Sequence, residues 1–296
     1  MSMQAPSAYR RLILDLCHGA ADPEIMRAAA EFARLLGLDL HCLFIEDEAV
    51  LALAELPFAR EIRLPTHDWS PIDANTIAAE LRQAAAQTHR LLDEVIQDVG
   101  IPSEFVVLRG DPAACIAAVC RTNDIVVIAE PGPSVARTTH GVTRLRAAAH
   151  ESAASVLLLP ARFKPRTGPV VAVPADAVDV SLDVACRIAA AANEDLVILL
   201  PQSVDDTAGN AMAGHAKDRA QALGVPRRRI TARTVHGGQP DDVLHALTDL
   251  RERLIVMMRA TSGAGDATGA SRIAATRGVP VLLIEAEHHI DQPAVA

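Results

Sequence analysis

The chain has 296 residues, room for two domains that each bury a core, with a formal net charge of −9 and a pI near 5.6. That acidity argues against a nucleic-acid surface as the main activity, and no run approaches the roughly 18 apolar residues of a membrane span. Half of the residues are hydrophobic but only 2% are aromatic, so Ala, Leu, Val and Ile must fill the interior. Residues 1–11 lack the apolar core of a signal peptide, and the expectation is a cytoplasmic protein. Cys17, Cys42, Cys115, Cys120 and Cys186 show neither CxxC nor metal spacing, which predicts buried free thiols in a reducing compartment.

In chain order, residues 11–17 form a near-continuous apolar run, as a parallel strand buried on both faces requires. Pro23 opens a helix with Ile25, Ala29, Phe32 and Leu36 on one face, ended by Gly37. A strand over 40–45 precedes a mixed excursion over 46–75 that contains Pro57, Pro65 and Pro71. The next helix runs through Ile77, Leu81, Ala85, Leu92, Val95 and Val99 to Gly100. A third strand, 104–108, leads through Gly110-Asp111-Pro112 into a helix with Asp111 as its cap. A fourth strand at 125–129, a helix near 143–150 and a fifth strand at 156–159 complete the series.

The same order then returns. Strands are expected at 170–173, 196–200, 230–235, 254–258 and 281–284. Helices are expected through Leu182, Ala185, Ile188, Ala189 and Ala192, then at 212–223, 241–250 and near 271–277. The prolines of the two Gly-x-Pro turns, Pro112 and Pro240, lie 240 − 112 = 128 residues apart. A spacing of that size marks a repeated domain rather than a solenoid unit. The expected fold is α/β: two tandem open parallel-sheet domains with right-handed crossovers and helices on both faces. Domain 1 covers 1–163, with the insertion at 46–75; domain 2 covers 166–290. Open sheets of this kind place ligands at the carboxyl ends of their strands.

With these elements placed, the chain resembles a tandem universal stress protein over nearly its whole length. Four features carry the resemblance: the opening strand followed by an Ala-rich helix ending at Leu36-Gly37; Gly-x-Pro after strand three in both copies; Asp-Ile-Val-Val-Ile at 124–128; and Val-Leu-Leu-Leu-Pro at 156–160. Residues 43–61 also resemble a subgroup of bacterial relatives. The resemblance implies an adenine nucleotide alpha-hydrolase-like fold and a role in stress response. It also implies that the halves pair through their fifth strands as an intrachain pseudo-dimer, covering apolar edges that would otherwise invite aggregation.

ATP-binding members of that family carry Gly-x-x-Gly, nine residues, then Gly-Ser/Thr from the end of strand four. Glycine lets backbone amides approach phosphates, while the hydroxyl and a helix N-terminus add donors. The matching positions here are Ala129, Gly132, Val142 and Thr143, and Cys17 stands where the family has an adenine-side aspartate. Arg137, His140, Arg144 and Arg146 surround this loop and are read as a solvated face rather than a substitute phosphate anchor. In the second copy Asp176 matches the aspartate, but Gly263, Gly265 and Thr268 do not reproduce the spacing. Arg259, at the end of strand four, either reaches an anion or lies along the surface.

No nucleophile elbow is present, no histidine pair has ligand spacing, and the adjacent Cys17 and His18 point to opposite faces of an extended chain. The expected function is therefore a non-enzymatic stress-response or regulatory module with weakened or lost nucleotide binding and no cofactor or metal. The alternative is an ATP- or AMP-binding sensor that uses one copy, with ATP and Mg as ligand. Expected partners are an unidentified protein or a second chain, as a homodimer. Leu56, Phe58 and Trp69 within 46–75 form either an exposed contact patch or a locally folded cap.

Overall fold

Period-two alternation within continuous apolar runs dictates strands covered on both sides, and the computed structural model has that arrangement. It describes residues 9–16, 22–63, 68–129, 149, 152–160, 163, 166–202 and 206–285. The first half contains β1 (Arg11–Asp15), α1 (Pro23–Leu36), β2 (Asp39–Asp47), α2 (Glu48–Ala54), β3 (Arg60–Arg63) and β4 (Asp68–Pro71). It continues with α3 (Ala74–Val99), β5 (Ser103–Gly110), α4 (Pro112–Val119), β6 (Asp124–Ala129) and β7 (Ser155–Leu159). The second half contains β8 (Val170–Val173), α5 (Val180–Ala192), β9 (Leu196–Pro201), α6 (Asp206–Ala222) and β10 (Ile230–Val235). After these come α7 (Pro240–Ala246), β11 (Leu254–Met258), α8 (Ala267–Arg277) and β12 (Val281–Ile284).

Among the described residues ten strands form one sheet in the order β5-β2-β1-β6-β7-β12-β11-β8-β9-β10. Each half therefore has its own first strand third from its outer edge, and neighbours within a half are parallel. The sheet passes unbroken between the halves through an antiparallel β7–β12 pair with Leu157 opposite Leu282. Leu12, Leu14, Ile125 and Val127 face a core shared with α1, α3, α5 and α6. Ile13, Val126, Ile128 and Val156 face a second core under α4, α7 and α8.

Local chemistry sets the helix ends. Asp22 caps α1 by accepting from the Glu24 amide at 2.9 Å, and Gly37 ends it at φ +67°, a conformation that costs a residue with a Cβ. Asp111 caps α4 through the Ala114 amide at 3.0 Å, with Pro112 in the first turn. Helix α6 begins two turns before its apolar pattern, which starts at Met212. Gly209 and Asn210 occupy its first turns and weaken the sequence signal there.

Each half buries a carboxylate at the amino end of its fourth strand. Asp124, fully buried, accepts from Arg11 Nε at 2.9 Å, Arg11 Nη2 at 2.5 Å and the Arg121 amide at 2.8 Å. This hydrogen bonding raises the Arg11 pKa. Glu252, also fully buried, accepts from Arg277 Nε at 2.7 Å and Nη2 at 2.9 Å. A further tie crosses the halves: Arg253, at the head of β11, pairs with Glu31 of α1.

The 46–75 excursion is less irregular than its composition suggests. Strand β2 runs on to Asp47, whose carboxylate caps α2, and β3 and β4 form a separate antiparallel hairpin with Ile62 opposite Trp69. Phe58 is 76% exposed and Trp69 63%, so of the two arrangements open to this segment the structure adopts the exposed patch, not the folded cap. Among the described residues no helix is long and apolar enough to cross a membrane.

Candidate functional site

In the second half the chain winds outward from β8 to β9 and β10, then returns past β8 to β11. The junction of β8 and β11 is thus the point where strand order reverses, and a crevice opens outside the carboxyl ends there. It holds a cavity of about 360 Å³. Val173, Leu199, Val235 and Met257 form its floor, Val243 of α7 lies behind, and the 237–238 and 263–265 turns wall it.

The glycine-rich loop that follows β11 is spent on packing. The Ala264 amide donates to the Gly238 carbonyl at 2.8 Å, and the Ala260 amide to the Gly265 carbonyl at 3.0 Å. A Cβ on Gly263, at φ +83°, would lie 2.6 Å from the Gly238 oxygen. Glycine here lets one turn lie against the other. The first turn of α8 is likewise engaged: Asp266 caps it, accepting from the Gly269 amide at 2.6 Å. A carboxylate therefore sits where the helix terminus would favour an anion.

Beside this loop is a second, polar cavity of about 510 Å³, lined by Arg259, Thr261, Asp266, Thr268 and Glu285 among others. Thr268 is thus at a cavity wall, in the first turn of α8. Arg259 lines this cavity while its guanidinium is engaged by protein groups. Its Nη1 donates to the Ser152 carbonyl at 2.8 Å and meets Glu285 Oε2 at 2.7 Å, while Nη2 donates to the Ala154 carbonyl. It clamps the end of β11 to the segment entering β7, and burial lowers its pKa.

Asp176 is exposed and outside the apolar cavity; its carboxylate accepts from the Val178 amide at 2.8 Å. Asp179 caps α5 beside it. In the first half Ala129 ends β6, whereas Cys17, Gly132 and Thr143, with Val142, His18, His140 and the arginines 137, 144 and 146, lie outside the described residues. Cys42 and Cys186 are buried, which pushes each thiol up to about 12. No group of histidine, cysteine and carboxylate side chains among the described residues could hold a metal ion.

The resemblance implied pairing through the fifth strands, but sequence reasoning missed the polar contacts at that seam. Tyr9 is buried with its hydroxyl 2.8 Å from Ser155 Oγ, which also accepts from the Glu285 amide at 3.1 Å. The β7–β12 pairing brings Glu285 to Ser155, and no local pattern announces these contacts. Burial, with Glu285 adding to it, raises the Tyr9 pKa to about 12.

Tyr9 is the single tyrosine of the chain, so phenolate absorbance reports on it alone. The folded protein keeps a proton that the unfolded chain releases near pH 10. The resulting stabilisation is complete below pH 10 and is lost as pH rises toward 12. The expected titration shows no phenolate near pH 10 while circular dichroism remains native, and Tyr9→Phe flattens the alkaline loss of stability. A phenolate midpoint near 10 in the folded protein would contradict this.

No family model matches the chain, and no curated protein matches it. Solved structures do. A universal stress protein from Archaeoglobus fulgidus DSM 4304 superposes with a TM-score of 0.64 at 16% identity, covering 94% of this chain and 98% of that one. The chain has the universal stress protein fold. A universal stress protein from Pseudomonas aeruginosa UCBPP-PA14 matches with a TM-score of 0.53 at 14% identity over 95% of both chains. A protein of unknown function from Pseudomonas aeruginosa PAO1 gives 0.52 at 13% identity, covering 94% of this chain and 93% of that one. These superpositions extend over at least 94% of this chain.

Proposed function

We propose that this chain is a non-enzymatic regulatory module of the universal stress type in which nucleotide binding is weakened or lost. The observation that carries the reading is the Asp266 carboxylate on the first turn of α8, bonded to the Gly269 amide at 2.6 Å. A phosphate there would have to displace a like charge and regain the amide it holds. The internal use of the Ala264 amide supports the same view, as does the engagement of Arg259 by Glu285 and two carbonyls. Isothermal titration of the full chain with ATP and Mg is expected to give no binding tighter than about 1 mM. Micromolar binding at one site per chain would reject the reading.

The second reading, an ATP- or AMP-binding sensor that uses one half, draws support from the open cavity of about 360 Å³ at the strand ends. It requires a thermal upshift with nucleotide, because a ligand that binds only the folded state stabilises it by mass action. Thr143→Ala and Asp176→Ala would then place the ligand in the first or the second half.

A further inference from the structure

We infer that the crevice at the carboxyl ends of β8–β11 is a binding site for an uncharged, mostly apolar small molecule. The inference rests on the reading that phosphate recognition is lost in this half, and it names what the remaining cavity accepts. Its volume, about 360 Å³, falls in the range of about 300–1,000 Å³ typical of small-molecule clefts. The chemistry of the lining is one-sided. Among the described residues no Asp, Glu, Lys, Arg or His contributes to it, and Ser262 supplies the one polar side chain. The floor is made by Val173, Leu199, Val235 and Met257, with Met258 at the edge.

An ion placed there would exchange water for carbon with no counter-charge in the wall, at a cost an uncharged ligand avoids. Charged groups of the flanking loops are engaged by the protein itself. Asp266 caps α8, Arg259 bonds across the seam, and the Asp176 carboxylate accepts from its own turn. Two methionines give the wall polarizable, adaptable side chains that fit apolar ligands of varied outline. The turns are tied to each other by the Ala264–Gly238 hydrogen bond, which fixes one wall of the cavity.

Titration of the full chain with the uncharged dye N-phenyl-1-naphthylamine tests this. The expected result is saturable fluorescence enhancement at one site per chain. Met258→Glu, which places a carboxylate in the wall, should weaken binding by roughly tenfold or more. Ala175→Trp, which plugs the cavity from its exposed rim, should do the same without touching the core, and both are checked for native circular dichroism. The double variant Phe58→Ser/Trp69→Ser removes the exposed patch of the β3–β4 region and should leave the titration unchanged. Enhancement that follows Phe58 and Trp69 overturns the inference, and so does a failure to saturate. Competition by adenosine as strong as that of an apolar competitor also overturns it, since the site would then read a polar base. A chain that binds neither dye nor ATP loses this inference alone; one that binds ATP with Mg at micromolar concentration loses the reading beneath it.

Discussion

Replacing Arg259 with alanine is expected to lower the unfolding free energy by about 3 kcal/mol. The guanidinium serves the carbonyls of Ser152 and Ala154 and the Glu285 carboxylate at once. Its side chain is 13% exposed and that of Glu285 21%, so water can replace the lost donors only in part. A lone charge and two carbonyls would remain in a confined space. Arg259→Lys restores the charge but not the fork that reaches three acceptors, and should recover less than half of the loss. Urea unfolding followed by circular dichroism measures both. A loss under about 0.5 kcal/mol, the level of a typical surface change, would mean that the seam does not depend on this clamp. Unchanged stability with altered ligand affinity would return Arg259 to the role of an anion contact.

Asp124→Ala should have an effect of similar size or larger, about 3–5 kcal/mol. This carboxylate is fully buried and takes three hydrogen bonds, two from the Arg11 fork and one from the Arg121 amide. Its removal strands a guanidinium that is itself mostly enclosed and frees an amide at the start of β6. Asp124→Asn keeps the shape without the charge and should fall between the two. The pair Arg227–Asp218, 2.8 Å apart with both side chains more than 60% exposed, is the internal control. Asp218→Ala should cost less than about 1 kcal/mol. If the two alanine variants unfold at the same urea concentration, burial is not what gives the Asp124 pair its strength.

The strands and their two-faced cores were legible because continuous apolar runs such as Leu12-Ile13-Leu14 and Val156-Leu157-Leu158 admit few other arrangements. Both Gly-x-Pro turns announced the helices after strand three, with Asp111 as a visible cap. The site was only half legible. Gly263 and Gly265 read as a glycine-rich loop, but sequence could not show that the loop packs on Gly238 instead of opening toward a ligand. Arg259 carried two readings, and neither foresaw its partners, since Ser152 and Ala154 lie more than a hundred residues away. The hairpin of β3 and β4 escaped because its strands are four residues long and one of them ends in proline. Short polar strands leave almost no periodic trace.

The antiparallel junction of β7 with β12 sets the two halves head to tail. The carboxyl ends of β1, β2, β5 and β6 therefore emerge at one rim of the sheet, and those of β8–β11 at the opposite rim. Whatever occupies one rim is out of reach of the other. Tyr9, Ser155 and Glu285 meet between them, in the central strands. One small molecule cannot span both ends, so the two rims can be filled without steric competition.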